Sequence, residues 1–204
     1  MAVSIPPQPE FGEVLPIAPS QAVIDALAHR RSASALTLRA PGPSPDELID
    51  LLRLAARAPD HGKLNPWRFV ILKGDAKAQY ARGLEAMAAA RPDAAKATAA
   101  LGKLKAPPLA VAVISAPVEG QIPEWEQVMS AGAVCTLMLT AAAAMGYGAN
   151  WITDWYAFDD EALALLGVQT GERVAGFIYL GTAAEAPQER VRPNVAALTS
   201  VWKA

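Results

Sequence analysis

A long apolar stretch in the middle of the chain constrains the fold more than any other feature. Residues 124–145 contain no proline, and residues 131–149 read AGAVCTLMLTAAAAMGYGA. The stretch is long enough to span a bilayer. However, small residues and threonine dominate it, no aromatic or basic belt flanks both ends, and Glu124 and Glu126 precede it. The pattern therefore favours a buried central helix, from Glu124 to Met145, over a membrane span.

The same helix predicts an oligomer. It is apolar on nearly every face and therefore needs cover on all sides. The strands predicted elsewhere form one small sheet, which can cover only part of it. A second copy of the chain is the simplest remaining cover, so we expect a homodimer.

The remaining elements are predicted from periodicity and from breakers. Apolar runs between prolines or turns predict strands at 67–73, 109–115, 149–153 and 173–181. Ser44-Pro45-Asp46-Glu47 starts a helix that must stop near Ala58, because Pro59 follows. Gly74-Asp75 predicts a turn before two alanine-rich helices. We expect a Pro-rich N-terminal arm over residues 1–19 and one domain, of class α+β or α/β, over residues 20–204.

Composition excludes several classes of function. The net charge of -2 and the lack of a polybasic tract argue against nucleic-acid binding. One cysteine and two histidines exclude an internal disulfide and a CxxC pair, and they predict no metal site. This cysteine usage fits a reducing, cytoplasmic location. Walker A, Gly-x-Ser-x-Gly, His-Glu-x-x-His and a strand-linked Gly-x-Gly-x-x-Gly are absent from the sequence.

Two arginine-rich segments are candidates for binding a phosphate. Arg30-Arg31-Ser32 lies where the first predicted helix ends, and guanidinium and hydroxyl groups bind phosphate through charge-assisted hydrogen bonds. The alternative is a pair of arginines that complement the helix dipole. Arg190 and Arg192 form a second source of arginine, unless they belong to a charged surface tail.

Two further segments suit a flat heterocyclic ligand. The loop 57–67, RAPDHGKLNPW, holds Arg57 and His61 on a backbone stiffened by proline. In the segment 141–153, AAAAMGYGANWIT, small residues and glycines allow a ligand to approach the backbone closely. The alternatives are an ordinary solvated loop and a tightly packed helix that ends in a glycine turn.

These segments together resemble the compact branch of the nitroreductase-like flavoprotein family. The resemblance extends from Ala26 to Trp202 and rests on HRRSAS, RAPDHGKLNPWRF, WEQVMSAG, GYGANWIT and GFIYLGT in that order. It implies an α+β fold, a three-layer sandwich with a small central sheet flanked by helices. It also implies an intertwined homodimer with FMN at the subunit interface. The flavin loop departs from the Ser-Ser-x-Asn-x-Gln-Pro-Trp pattern of many relatives, so its polar contacts are expected to differ.

The resemblance also implies roles for individual residues. The FMN contacts that it implies are Arg30, Arg31 and Ser32 at the phosphate and ribityl chain, Arg57 and His61 toward the flavin of the other subunit, Trp151, Ile152 and Thr153 beside the ring, and Arg190 or Arg192 as further phosphate ligands. The segment that it implies for the nicotinamide cofactor is Ala141, Ala142, Ala143, Ala144, Met145 and Gly146.

The implied activity is that of an FMN-dependent NAD(P)H oxidoreductase. Electrons from NADH or NADPH would pass by ping-pong hydride transfer through N5 of FMN to a nitroaromatic, a quinone or a similar acceptor. No side chain is expected to act as an obligatory acid or base, because the flavin carries the chemistry. The alternatives are a non-catalytic FMN-binding scaffold or carrier, and a flavin enzyme of the oxygen-activating or dehalogenating type.

Overall fold

Helices and strands of the computed structural model, which describes residues 3–203, follow the predicted order closely. The α-helices are α1 (Gln21–Ala28), α2 (Pro45–Ala55), α3 (Gly74–Ala90), α4 (Ala94–Ala100), α5 (Gly102–Lys105), α6 (Glu124–Ala144) and α7 (Asp160–Leu166). The strands are β1 (Leu38–Arg39), β2 (Trp67–Lys73), β3 (Leu109–Ser115), β4 (Gly148–Ile152) and β5 (Arg173–Ala183).

The strands form one antiparallel sheet organised around β5. This strand pairs with β1, β3 and β4, and β3 in turn pairs with β2. β5 is the longest strand and β3 is buried along its whole length. The sheet is therefore covered by helices on both of its faces, as a continuous apolar strand such as LAVAVIS predicts.

Alternate residues of the central strands belong to two different cores. On β3, Ala110 and Ala112 face one core while Val111 and Val113 face the other. The first core contains side chains of α3, α4, α5 and α7, and the second contains those of α2 and α6. This period of two places the sheet between two helical layers, which confirms the predicted α+β, three-layer sandwich.

Helix α6 buries one stripe and leaves the opposite face uncovered. Its buried positions are Gln127, Ser130, Ala131, Val134, Cys135, Met138 and Ala142. Trp125 and Met129, by contrast, are more than half exposed. By length and composition α6 could cross a membrane, and 50% of that stretch is buried inside the protein. This single chain therefore covers α6 along one stripe only, and the cover predicted for its other face, a second copy of the chain, stays a prediction.

The structure differs from the sequence prediction in three local features. Strand β1 was not predicted, because two residues carry too little periodicity to be recognised. The predicted turn at Gly74-Asp75 is wrong, since α3 begins at Gly74. The φ of 52° at Gly74 takes the chain sharply from strand into helix. The second alanine-rich helix is interrupted at Leu101, which separates α4 from α5.

The N-terminal arm and the C-terminal tail expose unusually many large apolar side chains. In the arm, Phe11 and Ile17 are fully exposed, and in the tail Leu198 and Trp202 are almost so. Helix α1 buries none of its residues. Large apolar patches on a single chain are typical of surfaces that contact another molecule.

Candidate active site

The segment Arg30–Ser32 is held against the sheet by the residue that follows it. Ala33 donates its backbone N–H to the carbonyl of Ala149, 3.0 Å away, and its own carbonyl accepts from Nδ2 of Asn150 at 2.5 Å. Ala149 and Asn150 belong to β4, whose end carries Trp151 and Ile152. The fold therefore joins the predicted phosphate segment to the strand that was predicted to lie beside the flavin ring.

The C-terminal tail brings further arginine to the same segment. Nε of Arg31 donates to the carbonyl of Gln188 at 2.7 Å, and Nη2 of Arg192 donates to the carbonyl of Arg30 at 3.0 Å. Arg192 also pairs with Glu189, with 2.9 Å between Nη2 and Oε1. Arg31 and Arg192 thus come together from positions more than 150 residues apart in the chain.

A groove of about 700 Å³ opens between this segment and the tail. Arg31, Ser32 and Asn150 line it on the side of the sheet, and Gln188 and Glu189 line it on the side of the tail. Its volume lies within the range of small-molecule sites. Its walls carry hydroxyl, amide and guanidinium donors, and also the carboxylates of Glu185 and Glu189. Donors of this kind bind the oxygens of an anionic ligand, and an anion here depends on the additional arginines that lie beside the groove.

Arg30 offers a guanidinium without a counter-ion. Its polar side-chain contact is a long one, 3.5 Å from Nη1 to Oγ of Ser32. Within residues 3–203, no carboxylate lies within ion-pair distance of Arg30, whereas Arg31 and Arg192 share Glu189. Arg30, Arg31 and Arg192 together outnumber the carboxylates of Glu185 and Glu189, so positive charge exceeds negative charge at this segment, which favours an anionic group there.

The second predicted segment, the loop after α2, has a different construction. Its backbone passes through left-handed conformations at Gly62, Lys63 and Asn65, with φ of 78°, 57° and 49°. Oδ2 of Asp60 accepts from the N–H of Asn65 at 2.8 Å, which closes the loop on itself. Nδ1 of His61 lies 2.6 Å from Oε2 of Glu126 on α6. The loop is thus positioned by side-chain contacts.

Arg57, at the start of this loop, lines a separate groove of about 760 Å³. The other walls of that groove are Pro6, Pro7, Gln8, Pro9, Leu15, Arg53, Leu54, Ala56 and Asn65. It shares no lining residue with the groove beside Arg31. Within one chain, the fold does not bring Arg57 together with the Arg30–Ser32 segment.

Trp151 lies flat across the sheet. Its Nε1 donates to the carbonyl of Ala175 on β5 at 3.1 Å, and a side chain at Gly176 would overlap the indole ring. Ile152 packs against the core while Thr153 is exposed. Glycine at 176 is therefore what allows the indole to lie at the predicted flavin-facing strand.

The predicted nicotinamide segment has both buried and accessible residues. Ala142 is buried in the core, and its carbonyl accepts from the N–H of Tyr147 at 2.8 Å. Ala143, Ala144 and Gly146 are exposed, and Gly146 has a φ of 84°. A ligand could reach these three residues, whereas the side chain of Ala142 serves the packing of α6.

Sequence reasoning missed three contributors to these surroundings. Asn150 fixes the segment that follows Ser32, Gln188 anchors Arg31, and Glu126 holds His61. Each acts across 65 residues or more of sequence, so no local pattern could reveal it. In the part of the chain that the structure describes, no group of three or more His, Cys, Asp or Glu side chains is arranged to hold a metal ion.

Comparison with known proteins identifies the family. The model of the nitroreductase family matches residues 27–182, which is most of the chain. This chain belongs to the nitroreductase family. It is 34% identical over 161 residues to the putative NAD(P)H nitroreductase YdjA of Escherichia coli, covering 78% of this chain and 87% of that protein.

Solved structures show the same nitroreductase fold. A nitroreductase-like family protein from Bacillus cereus superimposes with a TM-score of 0.80 at 19% identity, covering 93% of this chain and 100% of the other. A nitroreductase from Bacteroides fragilis, solved with bound FMN, gives a TM-score of 0.68 at 21% identity, covering 90% of this chain and 100% of the other. The three-layer arrangement of this chain is thus that of its family.

Proposed function

We propose that this protein is an FMN-dependent NAD(P)H oxidoreductase that reduces nitroaromatic, quinone or similar acceptors. The observation that carries the proposal is the convergence of Arg30, Arg31 and Arg192 beside β4, at the positions where the family resemblance puts the flavin phosphate. The names of its relatives, which include NAD(P)H nitroreductases and an FMN complex, support the same conclusion.

The residues present at this segment fit the phosphate of FMN. A terminal dianion needs several donors and an excess of positive charge, and Arg30 supplies a guanidinium that no carboxylate neutralises within the described residues. Ser32 and Asn150 add a hydroxyl and an amide to the groove. We assign the phosphate and ribityl chain to Arg30, Arg31 and Ser32, with Arg192 from the tail and with Arg190 as a candidate beside it.

The protein side chains position the reactants. When bound, FMN supplies the hydride-transfer chemistry between a nicotinamide and an acceptor. Trp151, Ile152 and Thr153 offer a strand edge for the ring to lie beside, while the arginines hold the phosphate end of the cofactor. Accessible Ala143, Ala144 and Gly146 leave room for the nicotinamide donor.

The proposal includes a homodimer with shared sites. Val23, Ile24 and Leu27 of α1 are each more than half exposed, as are Trp125 and Met129 of α6. A second copy that covers these faces would bury them, and it could bring its own Arg57 and His61 to the flavin held by Arg30. The separation of the two grooves within one chain supports this division of the site.

Two measurements test the activity. Mass spectrometry of the ligand released by heating should identify FMN, and the holoenzyme should oxidise NADH or NADPH with a quinone or a nitroaromatic compound. FAD in place of FMN would overturn the assignment of the phosphate segment. Bound FMN without any NAD(P)H oxidation would favour a non-catalytic carrier. We also propose a cytoplasmic location, which suits the free, buried thiol of Cys135.

Subunit complementation tests the shared site. Arg30→Ala and the double variant Arg57→Ala, His61→Ala should each bind FMN weakly as homodimers. A mixed dimer would have one site with both defects and one intact site. After unfolding and refolding of an equal mixture, activity at limiting FMN should reach about a quarter of the wild-type value, because half of the dimers are mixed and half of their sites intact. No recovery, with both variants folded and dimeric, would place the site within one chain.

A further inference from the structure

The N-terminal arm, residues 3–19, lies outside the part of the chain that matches the family model. It nevertheless packs against the body of its own chain. Nη2 of Arg53 on α2 donates to the carbonyl of Pro6 at 2.7 Å, and Oδ1 of Asp50 holds the same nitrogen at 2.8 Å. Arg53 is three-quarters buried. This hydrogen bond anchors the arm to the helix that ends just before Arg57.

The arm forms a complete wall of the groove at Arg57. Pro6, Pro7, Gln8 and Pro9 line one side, and Leu15 returns to it after a turn at Phe11-Gly12. Proline fixes its own φ and lacks an N–H, so such a segment is stiff and extended. The arm therefore presents a firm apolar surface opposite Leu54, Ala56 and Asn65.

The dimensions and chemistry of this groove suit an aromatic molecule. Its volume is about 760 Å³, and half of the residues that line it belong to the arm. Proline rings and leucine side chains offer flat apolar contacts, while Gln8 and Asn65 offer donors to an oxygen. Within residues 3–203, Arg57 has no carboxylate at ion-pair distance.

We propose that the arm determines specificity: the segment Pro6–Pro9, held by Arg53, narrows the approach to Arg57 and so limits the size of the electron acceptor. This inference rests on the proposed function, since it assumes that Arg57 lies at a flavin. It assigns to residues outside the shared family region the selection of small planar acceptors over large ones.

Two variants and one matched control test the size limit. A variant that lacks residues 2–19 removes the wall but keeps Ser20, whose Oγ accepts from the N–H of Val23 and starts α1. Arg53→Gln releases the arm and also breaks the ion pair with Asp50. Asp50→Asn neutralises that pair while leaving Arg53 to hold Pro6, so it separates loss of the anchor from loss of the ion pair.

The acceptors are 1,4-benzoquinone, which is small, and 9,10-phenanthrenequinone, which is large. For the truncated variant and Arg53→Gln, kcat/KM with phenanthrenequinone should rise roughly tenfold, because removing a steric wall relaxes discrimination by that order. The value with benzoquinone should stay unchanged, and Asp50→Asn should behave as wild type with both. Equal changes for both quinones, or none for either, would overturn the proposal.

A structural measurement keeps the placement of the arm independent of catalysis. Glu10 and Glu13, in the turn of the arm, are sites for a glutamate-specific protease, and a docked arm should resist cleavage there. Mass spectrometry should show faster cleavage after these residues in Arg53→Gln and an unchanged rate in Asp50→Asn. Equal rates in all three proteins would overturn the anchor. If the arm of the wild-type protein resists cleavage but the protein binds no FMN or does not oxidise NAD(P)H, the proposed function is wrong, and the specificity role is wrong with it.

Discussion

The two segments that the resemblance assigns to the flavin are built in different ways. Arg30–Ser32 is continuous with a segment that hydrogen-bonds to β4 through backbone atoms and Asn150. The loop from Arg57 to Asn65 makes no such ladder, and it crosses left-handed conformations at three of its residues. Two side chains of α6 hold this loop: Glu126 contacts His61, and Ser130 donates to the carbonyl of Pro59.

The difference separates two tasks. A phosphate needs fixed donors. A segment that is hydrogen-bonded to the sheet provides them, because folding has already ordered its backbone before a ligand binds. The loop after α2, which we propose to reach a second subunit, depends instead on side chains that hold a strained backbone. We therefore expect changes at Arg30 to affect mainly the binding of FMN, and changes in the loop to affect stability and FMN binding together.

The largest expected effect is on FMN affinity. Replacing Arg30 and Arg31 together by alanine removes two charged donors, so the Kd for FMN should rise by at least about a hundredfold. Arg57→Ala removes one donor and should raise it by about tenfold. Flavin fluorescence titration of the apoprotein measures both. Arg82→Ala, at an exposed arginine of α3, is the control and should bind FMN normally.

The next effect is on the strained loop. Gly62 has a φ of 78°, which costs a residue with a side chain about 1–2 kcal/mol. Gly62→Ala should lower the free energy of unfolding by that amount in urea denaturation. Gly120→Ala serves as the matched control, because it has open space and no left-handed φ, and it should be neutral. No loss in Gly62→Ala, or an equal loss in both variants, would show that the left-handed φ at position 62 does not determine the effect.

A smaller effect is expected where the phosphate segment meets the sheet. Asn150→Ala removes the donor to the carbonyl of Ala33, and a neutral hydrogen bond of this kind contributes about 1 kcal/mol to stability. FMN affinity should fall with it, because Ser32 precedes Ala33. Asn194→Ala, in the exposed tail, removes only a local contact and should leave affinity unchanged. An Asn150→Ala protein with normal FMN affinity would contradict the coupling of the segment to β4.

The smallest effect is expected at the exposed pair of His61 and Glu126. Exposed pairs contribute less than about 1 kcal/mol, so Glu126→Gln should change the free energy of unfolding only slightly. It should nevertheless weaken FMN binding, because the loop loses its hold on α6. Glu124→Gln is the control: Glu124 lies on the same helix and pairs with Arg173 of β5 in another exposed ion pair. If both variants bind FMN alike, Glu126 does not position the loop.

Local patterns predicted most of the elements, because each of them is specified by neighbours in sequence. The capping box at Ser44 is present as expected, with Glu47 and Ser44 bonded reciprocally. Helix α6 begins at Glu124, also as expected, and ends one residue before the predicted Met145. Strands β2 and β3 begin and end at the predicted residues. Strand β1 was not predicted, because the extended conformation of its two residues depends on pairing with Thr182 and Ala183 of β5.

The sequence by itself determined the family, the order of elements and the start of the long helix α6, because apolar periodicity, caps and short motifs are local properties. Only the tertiary structure decided which arginines meet. Arg192 reaches Arg30, while Arg57 lies in another groove with the arm. Such contacts join residues far apart in the chain, and they form when packing of the sheet and helices brings those residues together. No pattern of neighbouring residues encodes them.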